Sequence, residues 1–304
     1  MFTTPRQLVR TLVPMPGANV PEGRMVELPG RGSTFVTDTP GPTPDSPVVV
    51  LLHAVGTTGL LTWFPSVAPL AEKYRVITLD QRWHGRGVQS EEFSLRDCAD
   101  DAVALLGVLG VQQAIFAGFS LGSIVAQRVW RQHPRRVAGL VLCATTDRFR
   151  STITERLFHE TMELSMGGLR GIARSRAGNT AARVAGRVLD IDPPDVHEWA
   201  LSELGSTNPW AVAQAVAALG RHHSRPWLGR IDAPTAVVVT LHDKVIPPAR
   251  QLDLARRIPG ATVHDIPAGH ASCVLEAEVF VPALVEACVT VSARVHDVPR
   301  TARR

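Results

Sequence analysis

Short apolar runs without polar interruption recur along the chain, and they limit its fold more than any other feature. Examples are PVVVLLH at residues 47–53, YRVITLD at 74–80 and PTAVVVTL at 234–241. Runs of this length are typical of strands buried on both faces, as in a parallel sheet covered by helices. Longer periodic stretches lie between several of the runs. The sequence therefore predicts an α/β fold with a mostly parallel, twisted sheet flanked by helices.

The same patterning predicts further elements on either side of these runs. Two strands are expected around the Pro-Gly-Arg-Gly turn within residues 24–42, and single strands at 113–118, 136–145 and 261–267. Helices are expected at residues 95–110, 121–133 and 276–293, the first of them capped by Ser94 and stopped by Gly110.

Residues 147–227 break this alternation. The stretch contains helix-like segments such as ITERLFHETMELSM and PWAVAQAVAALG but no convincing strand. We therefore predict a core formed by residues 1–146 and 228–304, with residues 147–227 inserted after the sixth strand as a helical cap, or lid.

Composition narrows the classes of partner. Hydrophobic residues make up 45% and charged residues 20%, which is typical of a soluble globule. The net charge is +4, but the basic residues are scattered and only two are lysines, so no nucleic acid partner is expected. The apolar runs are too short for a membrane span, and charges and prolines interrupt the first residues, so we expect no secretion signal and a cytoplasmic location. The four cysteines form no C-x-x-C pair and are expected to be reduced and mostly buried.

Ser120 stands in the pattern Gly-x-Ser-x-Gly, spelled GFSLG at residues 118–122. An apolar, strand-like run precedes the pattern and a helix-like segment follows it. A turn this tight strains the serine backbone and leaves no room for side chains on its neighbours, which explains the glycines. Such a turn exposes the hydroxyl above the sheet edge. Ser120 is therefore predicted to be a nucleophile rather than an ordinary turn residue.

A serine hydroxyl needs a general base, and His270 is the best placed of the 11 histidines. It lies in IPAGHAS, between the last strand and the last helix, at a carboxyl end of the sheet. A capping or solvent-facing loop histidine is the alternative interpretation. The orienting carboxylate is predicted to be Asp243, which follows a strand in VVVTLHDKVIPP, and its rival is Asp147 in LCATTDR. The chain order is then serine, aspartate, histidine.

Two backbone N–H groups are predicted to stabilise the negative oxygen of a tetrahedral intermediate, those of Val55 and Leu121. Val55 lies in LLHAVGTTG, which follows a strand expected to lie beside the serine turn. In the same segment, His53 is expected to hold the loop by hydrogen bonding rather than to act as a base.

Residues 24–146 and 228–293 resemble the α/β-hydrolase superfamily. The matching segments are LLHAVG, LDQRWHGRG, GFSLGS, HDKVIPP and PAGHAS, in family order and at family-like spacing. Within the superfamily, the chain is most similar to small cytosolic carboxylesterases, enol-lactonases and cofactor-free perhydrolases. The resemblance implies that Asp80 and Arg82 fix the turn after a strand and that His84 packs rather than reacts.

The chain departs from the family pattern at two positions. The common His-Gly of the oxyanion loop is His53-Ala54 here, which reduces the freedom of the backbone. Trp83 replaces the usual glycine between Arg82 and His84.

Together these features predict a serine hydrolase that cleaves a carboxylic ester or lactone through an acyl-enzyme intermediate, with no metal and no cofactor. An acyltransferase or perhydrolase with the same triad, and a non-catalytic ligand-binding protein of the same fold, are the alternatives. The expected partner is a small-molecule ester or lactone, and the sequence leaves a homo-oligomer open. In the cap, Trp199, Trp210, Met162 and Met166 are candidates for lining a substrate cleft, although packing between helices is the other use of such residues.

Overall fold

A computed structural model describes residues 20–149 and 196–297 of the chain. Its centre is an eight-stranded sheet in which the strands lie side by side in the order β1-β2-β4-β3-β5-β6-β7-β8. The strands are β1 (Gly23–Leu28), β2 (Gly32–Thr39), β3 (Val48–Leu52), β4 (Arg75–Leu79), β5 (Ala114–Phe119), β6 (Val137–Cys143), β7 (Thr235–Thr240) and β8 (Thr262–Ile266). Every strand predicted from the sequence is present, so the α/β prediction is confirmed.

The pairing of the strands locates the crevice of the sheet. Strand β2 runs antiparallel to both β1 and β4, whereas all pairs from β4 to β8 are parallel. The chain passes from β3 to β4 on one side and then returns to place β5 on the other side of β3. In an open α/β sheet, such a reversal opens a crevice at the carboxyl ends of the two strands that flank it. The loops after β3 and β5 therefore face each other.

Helices cover both faces of the sheet. Alternate residues of β3 point to opposite faces, with Val50 and Leu52 in one core cluster and Val49 and Leu51 in the other. The helices are α1 (Gly59–Ala71), α2 (Leu95–Val108), α3 (Leu121–Gln132), α4 (Val196–Gly205), α5 (Pro209–Gly220), α6 (Arg225–Leu228), α7 (Pro248–Arg257), α8 (Ser272–Leu275) and α9 (Ala277–Asp297). Helices α2, α3, α5 and α7 bury their apolar side against the first cluster, and α1 and α9 against the second. The prediction that Ser94 is the N-cap residue of α2 is confirmed, because its hydroxyl accepts the Asp97 N–H at the start of that helix.

Two of the longer helices, α1 and α7, were not predicted from the sequence, and neither was the one-turn helix α8. Helix α1 contains Pro65 and Pro69, which read as helix breakers, but Thr58 caps its first turn and most of its residues are buried. Helix α7 begins at Pro248, a first-turn position where the missing N–H of proline has no cost. Burial and capping outweigh the local signal of the prolines in α1, and the first-turn position removes their cost in α7.

Among the described residues between β6 and β7 lie three helices, α4 to α6, where the helical insertion was predicted. The two ends of this segment are joined in the structure, since Arg148 and His223 form an antiparallel bridge and the Ser224 N–H donates to the Asp147 carbonyl at 2.9 Å. Residues 150–195 of the predicted cap lie outside the described residues. The division into core and cap therefore stays a prediction.

The four cysteines are free and buried, as expected. Burial raises the pKa of each of the four thiols. Among the residues that the structure describes, none of the helices has both the length and the apolar character needed to cross a bilayer.

The turn between β5 and α3 is closed by direct backbone contact. A side chain at Gly122 would place its Cβ 1.9 Å from the carbonyl oxygen of Leu52, at the end of the neighbouring strand β3. A Cβ at Gly118 would lie 2.3 Å from the backbone of Gly122 and Ser123. Both glycines of the Gly-x-Ser-x-Gly pattern are therefore required because there is no space for a side chain, as the pattern predicted.

We expect Gly122→Ala to destabilise the fold by about 3 kcal/mol or more, because backbone atoms at this contact cannot move aside without separating β3 from α3. Gly107→Ala is the matched control, since Gly107 is exposed in α2 and a Cβ there meets nothing within 4 Å. The control should be neutral or stabilise by up to about 1 kcal/mol through helix propensity. Urea unfolding followed by circular dichroism measures both, and equal stabilities of the two variants would contradict the packing argument.

Candidate active site

Ser120 lies at the tip of the turn between β5 and α3, in a strained backbone conformation. Its φ is 52° and its ψ is −110°, in a region that residues with a side chain rarely adopt. The surrounding hydrogen bonds hold it there. The Ser120 N–H donates to the Cys143 carbonyl at 3.0 Å, and the Ser123 hydroxyl donates to the Gly118 carbonyl at 2.6 Å while accepting the Cys143 N–H at 2.9 Å. The turn is thus tied to β6, and the strain is maintained by the sheet.

His270 lies beside this serine, as predicted. Its Nε2 is 3.1 Å from Ser120 Oγ, and its Nδ1 is 2.7 Å from Asp243 Oδ2. A carboxylate accepts only, so the proton of the neutral imidazole resides on Nδ1 and Nε2 is free to accept from the serine hydroxyl. The ring packs against Phe119, with the ring centroids 5.8 Å apart. The structure therefore brings Ser120, His270 and Asp243 together in one hydrogen-bonded line.

Asp243 is a buried carboxylate with a full set of donors. Its Oδ1 accepts the backbone N–H groups of Val245 and Ile246, both at 2.8 Å, and its Oδ2 accepts the Thr240 hydroxyl at 2.9 Å besides His270. Burial by itself raises the pKa of the Asp243 carboxyl, but the bonds from His270, the Ile246 N–H and Thr240 outweigh it and hold that pKa below its usual value. Asp243 is therefore ionised near neutrality and able to orient the imidazole.

Gln251 is a supporting residue that was not predicted from the sequence. It lies in α7, is fully buried, and its Nε2 reaches the Thr240 hydroxyl at 2.9 Å, the Ile246 carbonyl at 2.7 Å and Asp243 Oδ2 at 3.2 Å. Its Oε1 accepts the Thr240 N–H at 3.1 Å. These bonds fix the loop that carries Asp243. The only sequence signal was a glutamine eight residues after the aspartate. It lies in α7, a helix that was not predicted because Pro247 and Pro248 stand at its start.

The rival acid, Asp147, has a different environment. It is buried, and its Oδ2 lies 4.0 Å from Arg225 Nε and 3.9 Å from Arg257 Nε. The His270 imidazole bonds to Asp243 instead. The geometry therefore favours Asp243 as the orienting acid.

The two predicted oxyanion donors lie on opposite sides of the crevice. Leu121 is the first residue of α3, where helix N–H groups lack partners, and Val55 lies in the loop after β3. Neither N–H donates to an acceptor within the described part of the chain. The contact of Gly122 with the Leu52 carbonyl holds the start of the Val55 loop against the serine turn. The oxyanion role of both groups stays a prediction.

His53 holds its loop by hydrogen bonding, as expected. It is fully buried, its Nε2 accepts the Gln81 N–H at 2.8 Å, and its Nδ1 donates to the Ala54 carbonyl at 2.7 Å. Burial lowers its pKa to about 4. His84 packs against it with the ring centroids 5.1 Å apart, and burial lowers the pKa of His84 to about 3. Both histidines are structural and neutral near pH 7.

Asp80 and Arg82 also have the structural roles that the resemblance implied. Asp80 accepts the Gly59 N–H and the Arg86 N–H, each at 2.9 Å, and so ties the loop after β4 to the first turn of α1. Arg82 makes two bonds of 2.9 Å to the carboxylate of Asp101 in α2. This paired geometry compensates the burial of both charges.

Trp83, the second departure from the family pattern, has a φ of 67°. The position requires the left-handed region, which explains why glycine is usual there. Tryptophan accepts the strain because its indole N–H donates to the carbonyl and hydroxyl of Ser90 and its ring packs against Phe93 at 6.4 Å.

Two of the predicted cleft residues are described in the structure. Trp199 in α4 is half-buried, with its ring 5.2 Å from that of Phe64 in α1, and Trp210 is half-buried at the start of α5. Met162 and Met166 lie outside the described residues. A substrate-binding role for all four stays a prediction.

Polar side chains bind the described end of the predicted cap to loops of the sheet through hydrogen bonds. Glu203 in α4 accepts the Thr58 hydroxyl at 2.5 Å and the Arg86 guanidinium at 3.1 Å, and the Thr207 hydroxyl accepts the Gly85 N–H at 3.0 Å. The Glu203 side chain is only 12% exposed. Helix α4 and the residue two positions after its end are thus attached to the loop that contains Val55 and to the loop after β4.

Within residues 20–149 and 196–297, no three His, Cys, Asp or Glu side chains converge in a way that would hold a metal ion.

Comparison with known proteins places this geometry in a family context. A family model described as the alpha/beta hydrolase fold matches residues 47–183. The chain is similar to 3-oxoadipate enol-lactonase 1 of Acinetobacter baylyi, with 25% identity over 71% of this chain and 78% of that protein. It is also similar to a putative carbamate hydrolase, RutD, of Agrobacterium fabrum, with 26% identity over 78% of this chain and 90% of that protein. Among solved structures, a hydrolase from Pseudomonas aeruginosa superimposes with a TM-score of 0.69 at 26% identity, covering 90% of this chain and 99% of that one.

We expect the buried histidines to make the fold acid-sensitive. The unfolded His84 takes up a proton near pH 6.5 but the folded one only near 3, so between these values the unfolded state binds more protons and stability falls as the pH falls. The loss is about 1.4 kcal/mol per pH unit for one histidine.

His84→Gln isolates this contribution. Between pH 6.5 and 4, the free energy of unfolding of the wild type should fall more steeply than that of the variant, by about 1.4 kcal/mol per pH unit. Urea titrations at half-unit steps measure the two slopes. Parallel slopes would show that His84 does not stay neutral in the folded state.

Proposed function

The chain belongs to the α/β-hydrolase superfamily, and on that premise we propose that it is a serine hydrolase that cleaves a carboxylic ester or a lactone. The observation that carries the proposal is the line of hydrogen bonds from Asp243 through His270 to Ser120, at 2.7 and 3.1 Å. The names of two similar proteins, an enol-lactonase and a putative carbamate hydrolase, support hydrolysis as the reaction class.

In the proposed mechanism, Ser120 forms an acyl-enzyme intermediate. His270 Nε2 takes the hydroxyl proton as Ser120 Oγ attacks the substrate carbonyl, and the ionised Asp243 stabilises the imidazolium that forms. The N–H groups of Val55 and Leu121 donate to the tetrahedral oxyanion. The imidazolium protonates the leaving alkoxide, and a water deprotonated by His270 then attacks the acyl carbon and releases Ser120 and the acid.

The buried environment of the acid assists each proton transfer. Asp243 is held by two backbone N–H groups and a threonine hydroxyl, so it cannot rotate away when the imidazole becomes charged. Preorganised partners of this kind need no rearrangement as charge develops in the transition state. The cap residues Trp199, Trp210, Met162 and Met166 are proposed to line an apolar cleft for the acyl or alcohol part of the substrate.

A panel of p-nitrophenyl esters of graded chain length, measured beside a lactone panel, tests the function. The wild type should turn over members of at least one panel, and Ser120→Ala should lower kcat by roughly 10⁴-fold or more, since the nucleophile is lost. A fluorophosphonate probe should label the wild type at Ser120 and leave the variant unlabelled. Ligand binding without turnover or labelling would favour a non-catalytic member of the fold, and transfer of the acyl group to added alcohol or peroxide in preference to water would favour an acyltransferase or perhydrolase.

The acid is tested by a matched pair of substitutions. Asp243→Asn should lower kcat on the order of 10³- to 10⁴-fold, because an amide donates to Nδ1 and selects the imidazole tautomer that cannot accept the serine proton. Asp147→Asn, which changes another buried aspartate at the end of the preceding strand, should leave kcat within about twofold. Steady-state kinetics on the preferred ester measures both. A larger loss in Asp147→Asn than in Asp243→Asn would reassign the acid.

A further inference from the structure

Two threonines close a ring of hydrogen bonds around Ala54, the residue that replaces the usual glycine in the loop before Val55. The Thr62 hydroxyl accepts the Ala54 N–H at 3.3 Å, the Thr57 hydroxyl donates to the Ala54 carbonyl at 2.9 Å, and the two hydroxyls are 2.7 Å apart. Each hydroxyl has one proton. The Thr57 hydroxyl donates its proton to the Ala54 carbonyl, so the Thr62 hydroxyl donates to the Thr57 oxygen. The hydrogen bonds therefore run in one direction around the ring, from the Ala54 N–H through Thr62 and Thr57 to the Ala54 carbonyl.

The Ala54 carbonyl has a second donor on the other side. The His53 Nδ1–H donates to it at 2.7 Å, a direction fixed because His53 Nε2 accepts the Gln81 N–H. Both lone pairs of the carbonyl oxygen are therefore used. Rotation of the peptide between Ala54 and Val55 would break two hydrogen bonds at once in a partly buried loop.

The orientation of this peptide determines where the Val55 N–H points. A trans peptide is planar, and its N–H is directed opposite to its C=O. Holding the Ala54 carbonyl toward His53 and Thr57 therefore holds the Val55 N–H toward the other side of the loop. The start of this loop touches the serine turn, since the Leu52 carbonyl lies against Gly122.

We propose that Thr57 and Thr62 are positioning residues that orient the Val55 N–H toward the oxyanion. The inference rests on the proposed hydrolase function. The two hydroxyls act through the Ala54 peptide and do not touch the substrate. Their hydrogen bonds fix the Ala54 segment, whose backbone is already less free because alanine replaces glycine. The same bonds connect this segment to the first turn of α1, where Thr62 is fully buried.

Thr62→Val and Thr57→Val remove one hydroxyl each and keep the branched side chain. A donor aimed at the oxyanion acts mainly in the transition state, so each variant should lose roughly 10- to 100-fold in kcat with KM within about twofold. The affinity for phenylboronic acid, which forms a tetrahedral adduct with the active serine, should fall in the same proportion. Thr62→Ser, which keeps the hydroxyl, should recover kcat to within about threefold of the wild type.

Ser66→Ala is the matched control. Ser66 lies one turn after Thr62 in α1, is fully buried, and its hydroxyl has no hydrogen-bond partner among the residues that the structure describes. This variant should keep kcat and boronic acid affinity within about twofold. If Thr62→Val fails to fold by circular dichroism, the half-buried Thr57→Val carries the test.

The outcomes separate this inference from the proposed function. A wild type that neither turns over an ester or lactone nor reacts with fluorophosphonate overturns the proposed function itself. If the wild type is active and Ser120→Ala is not, then unchanged kcat in the folded threonine variants, a change confined to KM, or a loss in Thr62→Ser equal to that in Thr62→Val overturns the positioning role.

Discussion

The close approach of Gly122 to the carbonyl of Leu52 is the constraint on which the site depends. It brings the beginning of α3 to within van der Waals distance of the end of β3, with no side chain between them. Because the strand order reverses at β3, the loops after β3 and β5 already face each other, and the contact sets the distance at which they do so. The strained serine and the Val55 loop are consequently parts of one packed unit rather than two independent loops.

The polar side chains of the site differ in how their burial is compensated. Asp243 has two backbone N–H groups, a hydroxyl, an amide and an imidazole around its carboxylate, all within 3.2 Å. Asp147 is equally buried but faces two arginines at about 4 Å. The first arrangement fixes the direction of the carboxylate as well as its charge, which an acid that orients an imidazole requires. The second balances charge where residues 147–148 pair with residues 223–224.

The sequence predicted the strands and the positions of Ser120, Asp243 and His270 because each of these residues directly follows or precedes a clear pattern. Apolar runs identify strands, the carboxyl ends of parallel strands meet at one edge, and polar residues at those ends therefore converge. Gln251, Thr62 and Glu203 could not be found in this way. They act through side-chain hydrogen bonds made from helices, which leave no periodic pattern in the sequence. Two of those helices, α1 and α7, were not predicted because they contain prolines, whose cost is removed by burial or by a first-turn position. The left-handed conformation of Trp83 could not be predicted from the sequence either. Only the contacts of the indole in the folded structure explain why a bulky residue occupies a position where the backbone favours glycine.

The four thiols have a consequence for how the molecule responds to chemical reagents. All four cysteines of the chain are inside the core, and burial keeps them protonated and unreactive under conditions in which free cysteine is attacked. A maleimide or a similar alkylating agent therefore encounters a thiol only when the surrounding sheet and helices separate. The rate of such alkylation therefore records how often these packed regions of the native state open.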